Sequence, residues 1–125
     1  MTILSKIDDV IHFYRVENLE NVKTFYGGIL NLKLYKDQKK CLIYTVPGYG
    51  KIGFCTHHPK SKNPNTCITF VYPNQEDVDF AYSQLPQSVF VLAPPKYNPA
   101  FNIYHFYVRD FEGITLEFQA FLKNE

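Results

Sequence analysis

The sequence predicts an α+β fold, two tandem βαβββ modules forming a cupped mixed sheet around a central cavity. Three observations predict it. Apolar residues recur at helical spacing twice, over 19–30 and 78–85, and each stripe follows one strand-like run and precedes three more. Sliding the chain along itself lays Ile11 on Cys67, Val22 on Val78 and Tyr26 on Tyr82, so the second half repeats the first. Between the halves runs a polar connector rich in Pro, Lys, Ser and Asn. One helix covers only one face of a four-stranded sheet, so two such halves must combine, and the faces left over enclose a cavity.

The elements follow in order. Residues 10–16 form an apolar-rich strand, after which Asn18 is placed to cap a helix over 19–30. Gly27 and Gly28 lie inside that helix at a cost of about 1 kcal/mol each relative to alanine, which implies close approach to a sheet or an early fraying end. Residues 32–36, 41–46 and 51–55 are short strands, the last two joined by the turn Pro47-Gly48-Tyr49-Gly50. In the second half, 67–72 is a strand, Asn74 a cap, and the helical stripe of Val78, Ala81, Tyr82 and Leu85 stops at Pro86. Strands follow at 88–92, 102–109 and 114–121. Between the first two of these, 93–101 carries three prolines and reads either as a lid over the cavity mouth or as a plain surface connection. Asp110 and Gly113 supply the last turn, through side-chain bonds to nearby backbone and freedom for positive φ. The expected organisation is a single domain over 1–125, with one module at about 8–56, a connector at about 57–65 and a second module at about 66–122.

Composition narrows the function. A chain of 125 residues with 46% hydrophobic and 17% aromatic side chains builds a full core. Thirteen basic against twelve acidic residues leave a net charge of +1 with no basic stripe, which argues against nucleic acid as partner. Cys41, Cys55 and Cys67 are odd in number and widely spaced beside apolar runs, so they read as reduced core residues of a cytoplasmic protein. Nothing in the chain has the length and apolarity of a membrane span, and the opening residues lack a signal-peptide core, so no membrane partner is expected.

The paired βαβββ halves, Val16-Glu17-Asn18-Leu19-Glu20 leading into Phe25-Tyr26, and the closing Asp110-Phe111-Glu112-Gly113 followed by Leu116-Glu117-Phe118 together resemble the vicinal oxygen chelate superfamily. Glyoxalase I, extradiol dioxygenases, fosfomycin-resistance enzymes and bleomycin-resistance proteins belong to it. The resemblance covers nearly the whole chain and implies the fold more specifically than the reaction. Metal-dependent members hold a divalent ion between a first-strand histidine and a last-strand carboxylate or amide. Glu117 matches the final carboxylate. The first-strand histidine position falls on Ile11, with His12 one residue away, and its counterpart in the second half falls on Cys67, with Thr69 two residues on. The counterpart of Glu117 in the first half falls on Phe54, or on Gly53 or Cys55 with a slip of one residue.

Each candidate has two readings. Glu117 alternates with Leu116 and Phe118, so it faces away from the second helix and needs a cation, a donor or a metal beside it. His12 is a metal ligand or a packed histidine. His105, between Tyr104 and Phe106, is a candidate catalytic acid or base, because imidazole titrates near neutrality. Arg15, Tyr107 and Gln119 are candidate ligand-binding residues, the polar and aromatic points of a cavity suited to a small planar molecule. His57 and His58 read as solvated, and Cys67 as core rather than nucleophile.

Three functions compete on these residues. The first is a protein that binds a small, partly aromatic molecule without metal. The second is a lyase, isomerase or dioxygenase in which Glu117, with His12 or His105, holds a divalent metal ion, the candidate cofactor. The third is an interaction domain with a vestigial cavity. A homodimer is expected, because the resemblance implies modules that pair within or across chains.

Overall fold

The computed structural model describes residues 4–57 and 66–123. The chain divides into two compact units, Met1–Lys62 and Asn63–Glu125. Each is an α+β unit, one four-stranded mixed sheet with one helical segment.

In the first unit the strands are β1 (Ile11–Arg15), β2 (Lys33–Asp37), β3 (Cys41–Val46) and β4 (Gly50–Cys55), in the sheet order β1-β4-β3-β2. β1 runs parallel to β4, and the other neighbours are antiparallel. The helical segment starts as α1 (Leu19–Val22), with the Asn18 side chain accepting from the Glu20 amide at 2.8 Å. It does not continue as the α-helix expected over 19–30. From Lys23 to Ile29 the backbone is π-helical, and the Leu30 amide reaches back five residues to the Phe25 carbonyl at 2.9 Å. Gly27 and Gly28 explain the change: without side chains they stabilise the α-helix least, and a Cβ at Gly27 would stand 3.4 Å from the Tyr44 hydroxyl. The wider turn keeps Phe25 and Tyr26 buried against the sheet, where Tyr26 meets Phe54 at 4.3 Å between ring centroids.

The second unit repeats the plan. Its strands are β5 (Cys67–Tyr72), β6 (Phe90–Asn98), β7 (Ile103–Arg109) and β8 (Thr115–Phe121), ordered β5-β8-β7-β6 with β5 parallel to β8. Helix α2 (Gln75–Ser83) is capped by the Asn74 side chain, which accepts from the Asp77 amide at 2.9 Å. It lays Val78 and Tyr82 on the sheet, where Tyr82 meets Phe106 edge-on at 5.2 Å and Phe106 stacks on Phe118 at 4.8 Å. Leu116, Phe118 and Ala120 of β8 are buried, Leu116 and Ala120 completely.

The proline-rich stretch is neither a lid nor a plain connection. β6 runs through it as an edge strand, paired with β7 from Phe90↔Arg109 to Asn98↔Ile103, and its register shifts between Ala93 and Lys96, where Pro94 and Pro95 stand. Proline lacks the ladder donor, and an edge strand with a bulge is where a sheet accommodates it. At the other end of β7, the Asp110 carboxylate accepts from the amides of Glu112 and Ile114, both at 2.8 Å, and Gly113 takes φ +84°. That turn sets the register in which Tyr107 lies opposite Glu117.

Candidate functional site

Glu117 and Gln119 alternate with the residues of β8 that pack beneath α2, so both project from the opposite face of the sheet. Register then decides their neighbours. β5 brings Thr69 beside Glu117, while β7 brings Tyr107 opposite Glu117 and His105 opposite Gln119. The Thr69 hydroxyl donates to Glu117 Oε1 at 2.8 Å, and His105 Nδ1 lies 2.6 Å from Glu117 Oε2. A carboxylate only accepts, so Nδ1 carries a proton in this contact. The side chains of His105 and Glu117 are each 11% exposed, which shields the pair without sealing it. Tyr107 meets the His105 ring edge-on at 5.0 Å. Burial raises the Tyr107 phenol above its ordinary range, and the charge and hydrogen bonding of Glu117 raise it further.

Cys67 begins β5 and is exposed rather than part of the core. Its thiol is nonetheless raised, first by desolvation; Thr69, at 3.9 Å, opposes the shift and Glu117 adds to it.

His12 and Arg15 lie in the first unit. His12 pairs with Ile52 and shares the parity of Tyr14, which stacks on Phe54, so it stands on the helix-side face of its sheet. Arg15 stands on the other face, at a cavity of about 420 Å³ lined by Phe13, Tyr14, Gln38, Cys41, Cys55 and His57. In register, Phe13 and Gly53 pair on β1 and β4 as Thr69 and Glu117 do on β5 and β8. The first-half counterpart of Glu117 is therefore Gly53, which has no side-chain donor.

The cysteines correct the sequence reading. Cys41 and Cys55 form a disulfide, and only Cys67 among the three is a thiol. The hairpin explains the pairing: Val46 faces Gly50 across the turn, and counting outward along β3 and β4 puts Cys41 opposite Cys55, with Cα atoms 4.2 Å apart. His57, expected to be solvated only, places Nδ1 3.5 Å from Cys41 Sγ, while His58 lies outside the described residues. Counting residues outward from the turn Pro47-Gly48-Tyr49-Gly50 was the signal that exposes this cluster.

A carboxylate and an imidazole are both donors that a divalent ion accepts. Here they bond each other at 2.6 Å, the second carboxylate oxygen is held by Thr69, and the first half offers Gly53 and Phe13 at the matching positions. These residues do not fit the carboxylate-and-histidine pattern of the metal-dependent relatives, and no step is assigned to an ion at Glu117.

Residues 6–118 match the family model described as the glyoxalase/bleomycin resistance protein/dioxygenase superfamily. No curated protein matches the chain. Among solved structures, a glyoxalase/bleomycin resistance protein/dioxygenase from Nocardioides superposes with a TM-score of 0.77 at 19% identity, over 97% of this chain and 87% of that one. Lactoylglutathione lyase from Agrobacterium tumefaciens gives 0.72 at 14% identity, over 93% and 96%. The genomically encoded fosfomycin resistance protein FosX from Listeria monocytogenes gives 0.73 at 19% identity, over 91% and 93%. At these identities the likeness is one of fold, and the family match over nearly the whole chain stands beside it. The chain belongs to the glyoxalase/bleomycin resistance protein/dioxygenase superfamily.

Proposed function

We propose that this protein binds a small, partly aromatic molecule carrying a hydroxyl group, with Glu117 and His105 as its polar anchor. The observation that carries the reading is the division of the Glu117 carboxylate between two donors, Thr69 on one oxygen and His105 on the other. A carboxylate held this way fixes the imidazole through Nδ1, and in the neutral tautomer that leaves Nε2 as an acceptor. A ligand hydroxyl is the matching donor. Tyr107, edge-on to His105, supports an aromatic ring, and Gln119, paired with His105 across the strands, adds an amide that both donates and accepts. No reaction belongs to this proposal.

The test is a ligand-observed NMR screen with matched aromatic fragments, each with and without a hydroxyl. Hydroxylated members should bind at least about tenfold tighter, the equivalent of one well-made hydrogen bond to a charged network. Glu117→Gln should erase that preference while the melting temperature stays near that of the parent. Equal binding of the two sets, or a preference that survives Glu117→Gln, overturns the reading.

A homodimer in the cytoplasm is part of the same proposal. Val71 and Phe121 lie on sheet strands of the second unit and are more than half exposed, apolar surface suited to a second copy. Sedimentation at micromolar concentration should give twice the chain mass, and a single 14.6 kDa species would count against it.

A further inference from the structure

We propose that Cys41, Cys55 and His57, once the disulfide is reduced, form a zinc-class metal site with one open coordination position. Their three ligand atoms all lie within 4.8 Å of one another, two cysteine sulfurs, here joined as the disulfide, and one imidazole nitrogen. Cys41 and Cys55 are buried and His57 is exposed, so the trio stands between core and surface. The distances suit an ion. With Zn–S bonds of about 2.3 Å and Zn–N bonds of about 2.0–2.1 Å, a tetrahedral centre has S···N edges of about 3.5 Å and S···S edges of about 3.8 Å. Cys41 Sγ and His57 Nδ1 are already 3.5 Å apart. The two sulfurs need only separate from bonded contact to the S···S edge, and their strands are fixed by the ladder from Cys41↔Cys55 to Val46↔Gly50.

The backbone pairing does not depend on the S–S bond. The Thr56 amide donates to the Lys40 carbonyl at 2.9 Å, so Lys40 and Thr56 belong to the hydrogen-bonded series and Cys41 and Cys55 to the alternate, non-hydrogen-bonded one. Outside the ladder, the Cys41 carbonyl accepts from Gln38 at 2.8 Å and the Cys55 carbonyl from Val16 at 3.0 Å. Cleaving the S–S bond therefore removes no backbone hydrogen bond. A dithiol reductant supplies two electrons and two protons, converting the disulfide to two thiols and itself becoming a cyclic disulfide. Metal binding then displaces the two thiol protons. The disulfide and the metal site are alternative states of the same two sulfurs.

Three protein ligands and an open fourth position are the pattern of a reactive rather than a closed structural site. The open side adjoins the 420 Å³ cavity, where Arg15 and Gln38 stand with Phe13 and Tyr14. Arg15 gives that position a positive charge, so the exogenous ligand it takes is an anion with an oxygen or sulfur donor.

Cobalt(II) is the probe. Protein reduced with a dithiol, freed of reductant and titrated anaerobically with Co²⁺ should develop a thiolate-to-cobalt band and tetrahedral d–d bands at one ion per chain, all erased by Zn²⁺. Oxidised protein should show neither. Cys67→Ser should keep the spectrum, while His57→Asn should weaken binding by more than the roughly 10–100-fold that outer-shell changes cost. As a readout that does not depend on a cysteine variant folding, Zn²⁺ should protect Cys41 and Cys55, and not Cys67, from alkylation in the reduced parent. Absence of the thiolate band in reduced protein, or Zn²⁺ leaving the alkylation of Cys41 and Cys55 unchanged, overturns the proposal.

Discussion

The Phe13 ring lies across Gly53 so closely that a Cβ built on Gly53 would come within 2.5 Å of two ring carbons. This pair occupies the register positions that Thr69 and Glu117 hold in the second unit. One half of the repeat thus fills the position with an aromatic ring over bare backbone, and the other with a carboxylate and a hydroxyl. The divergence leaves β4 without a side chain at the position that Glu117 holds on β8.

Gly53→Ala forces the Phe13 ring aside, and overpacking of this kind costs about 1–3 kcal/mol. Because Phe13 is half exposed and can swing outward, the lower end of that range is expected. Phe13→Ala should make Gly53→Ala nearly neutral, so a double-mutant cycle by urea denaturation should show coupling between the two. Additive effects would show that the ring is not what excludes the Cβ.

Asp110→Ala removes the acceptor for two amides, those of Glu112 and Ile114, at a residue only 6% exposed. Hydrogen bonds to a charged acceptor contribute about 1.5–3 kcal/mol each, so a loss of about 3–6 kcal/mol is expected from the pair. Asp110→Asn keeps a carbonyl acceptor and should recover much of the loss. Equilibrium unfolding of the two variants checks the ordering.

Features whose chemistry is local were legible in the sequence. The Asp110 and Gly113 turn, the Asn18 and Asn74 caps and strand β5 depend on residues that touch within a few positions, and each stands where the pattern put it. The face of Glu117 followed from parity with Leu116 and Phe118. What escaped depended on pairing or on local overrides. Pro94 and Pro95 read as a break, yet an edge strand with shifted register accepts them. The glycines weakened the expected helix into a π-helical turn. The Cys41–Cys55 bond needed the β3–β4 register, which the turn length specifies but the cysteine spacing alone does not.

Thiol chemistry separates the three cysteines. Native, unreduced protein should titrate one thiol, Cys67, and protein reduced and denatured should titrate three. Although Cys67 is exposed, desolvation and the nearby Glu117 charge raise its thiol, so its thiolate fraction near pH 8 is smaller than in the unfolded chain. Iodoacetamide should therefore alkylate it more slowly in native than in denatured protein. A native rate equal to or above the denatured one would contradict that environment.

Tyr104 carries a pH dependence at the alkaline end. Its hydroxyl donates to Asp79 on α2 at 2.5 Å, and that bond, with a smaller desolvation effect and the Asp79 charge, pushes the phenol up to about 12. An unfolded tyrosine ionises near 10. The folded state therefore holds its proton more tightly, and by linkage the contribution is fully present below pH 10, declines between 10 and about 12, and is lost above. Ultraviolet titration of the native protein should show, among its late phenols, one near 12 that Tyr104→Phe deletes. Asp79→Ala should move that phenol down towards 10, because it removes both the hydrogen-bond acceptor and the charge that oppose the phenolate. The stability difference between parent and Tyr104→Phe, measured in urea at pH 8 and again above pH 10, should shrink with rising pH. A difference that grows instead would place the Asp79 contact outside the folded state's proton balance.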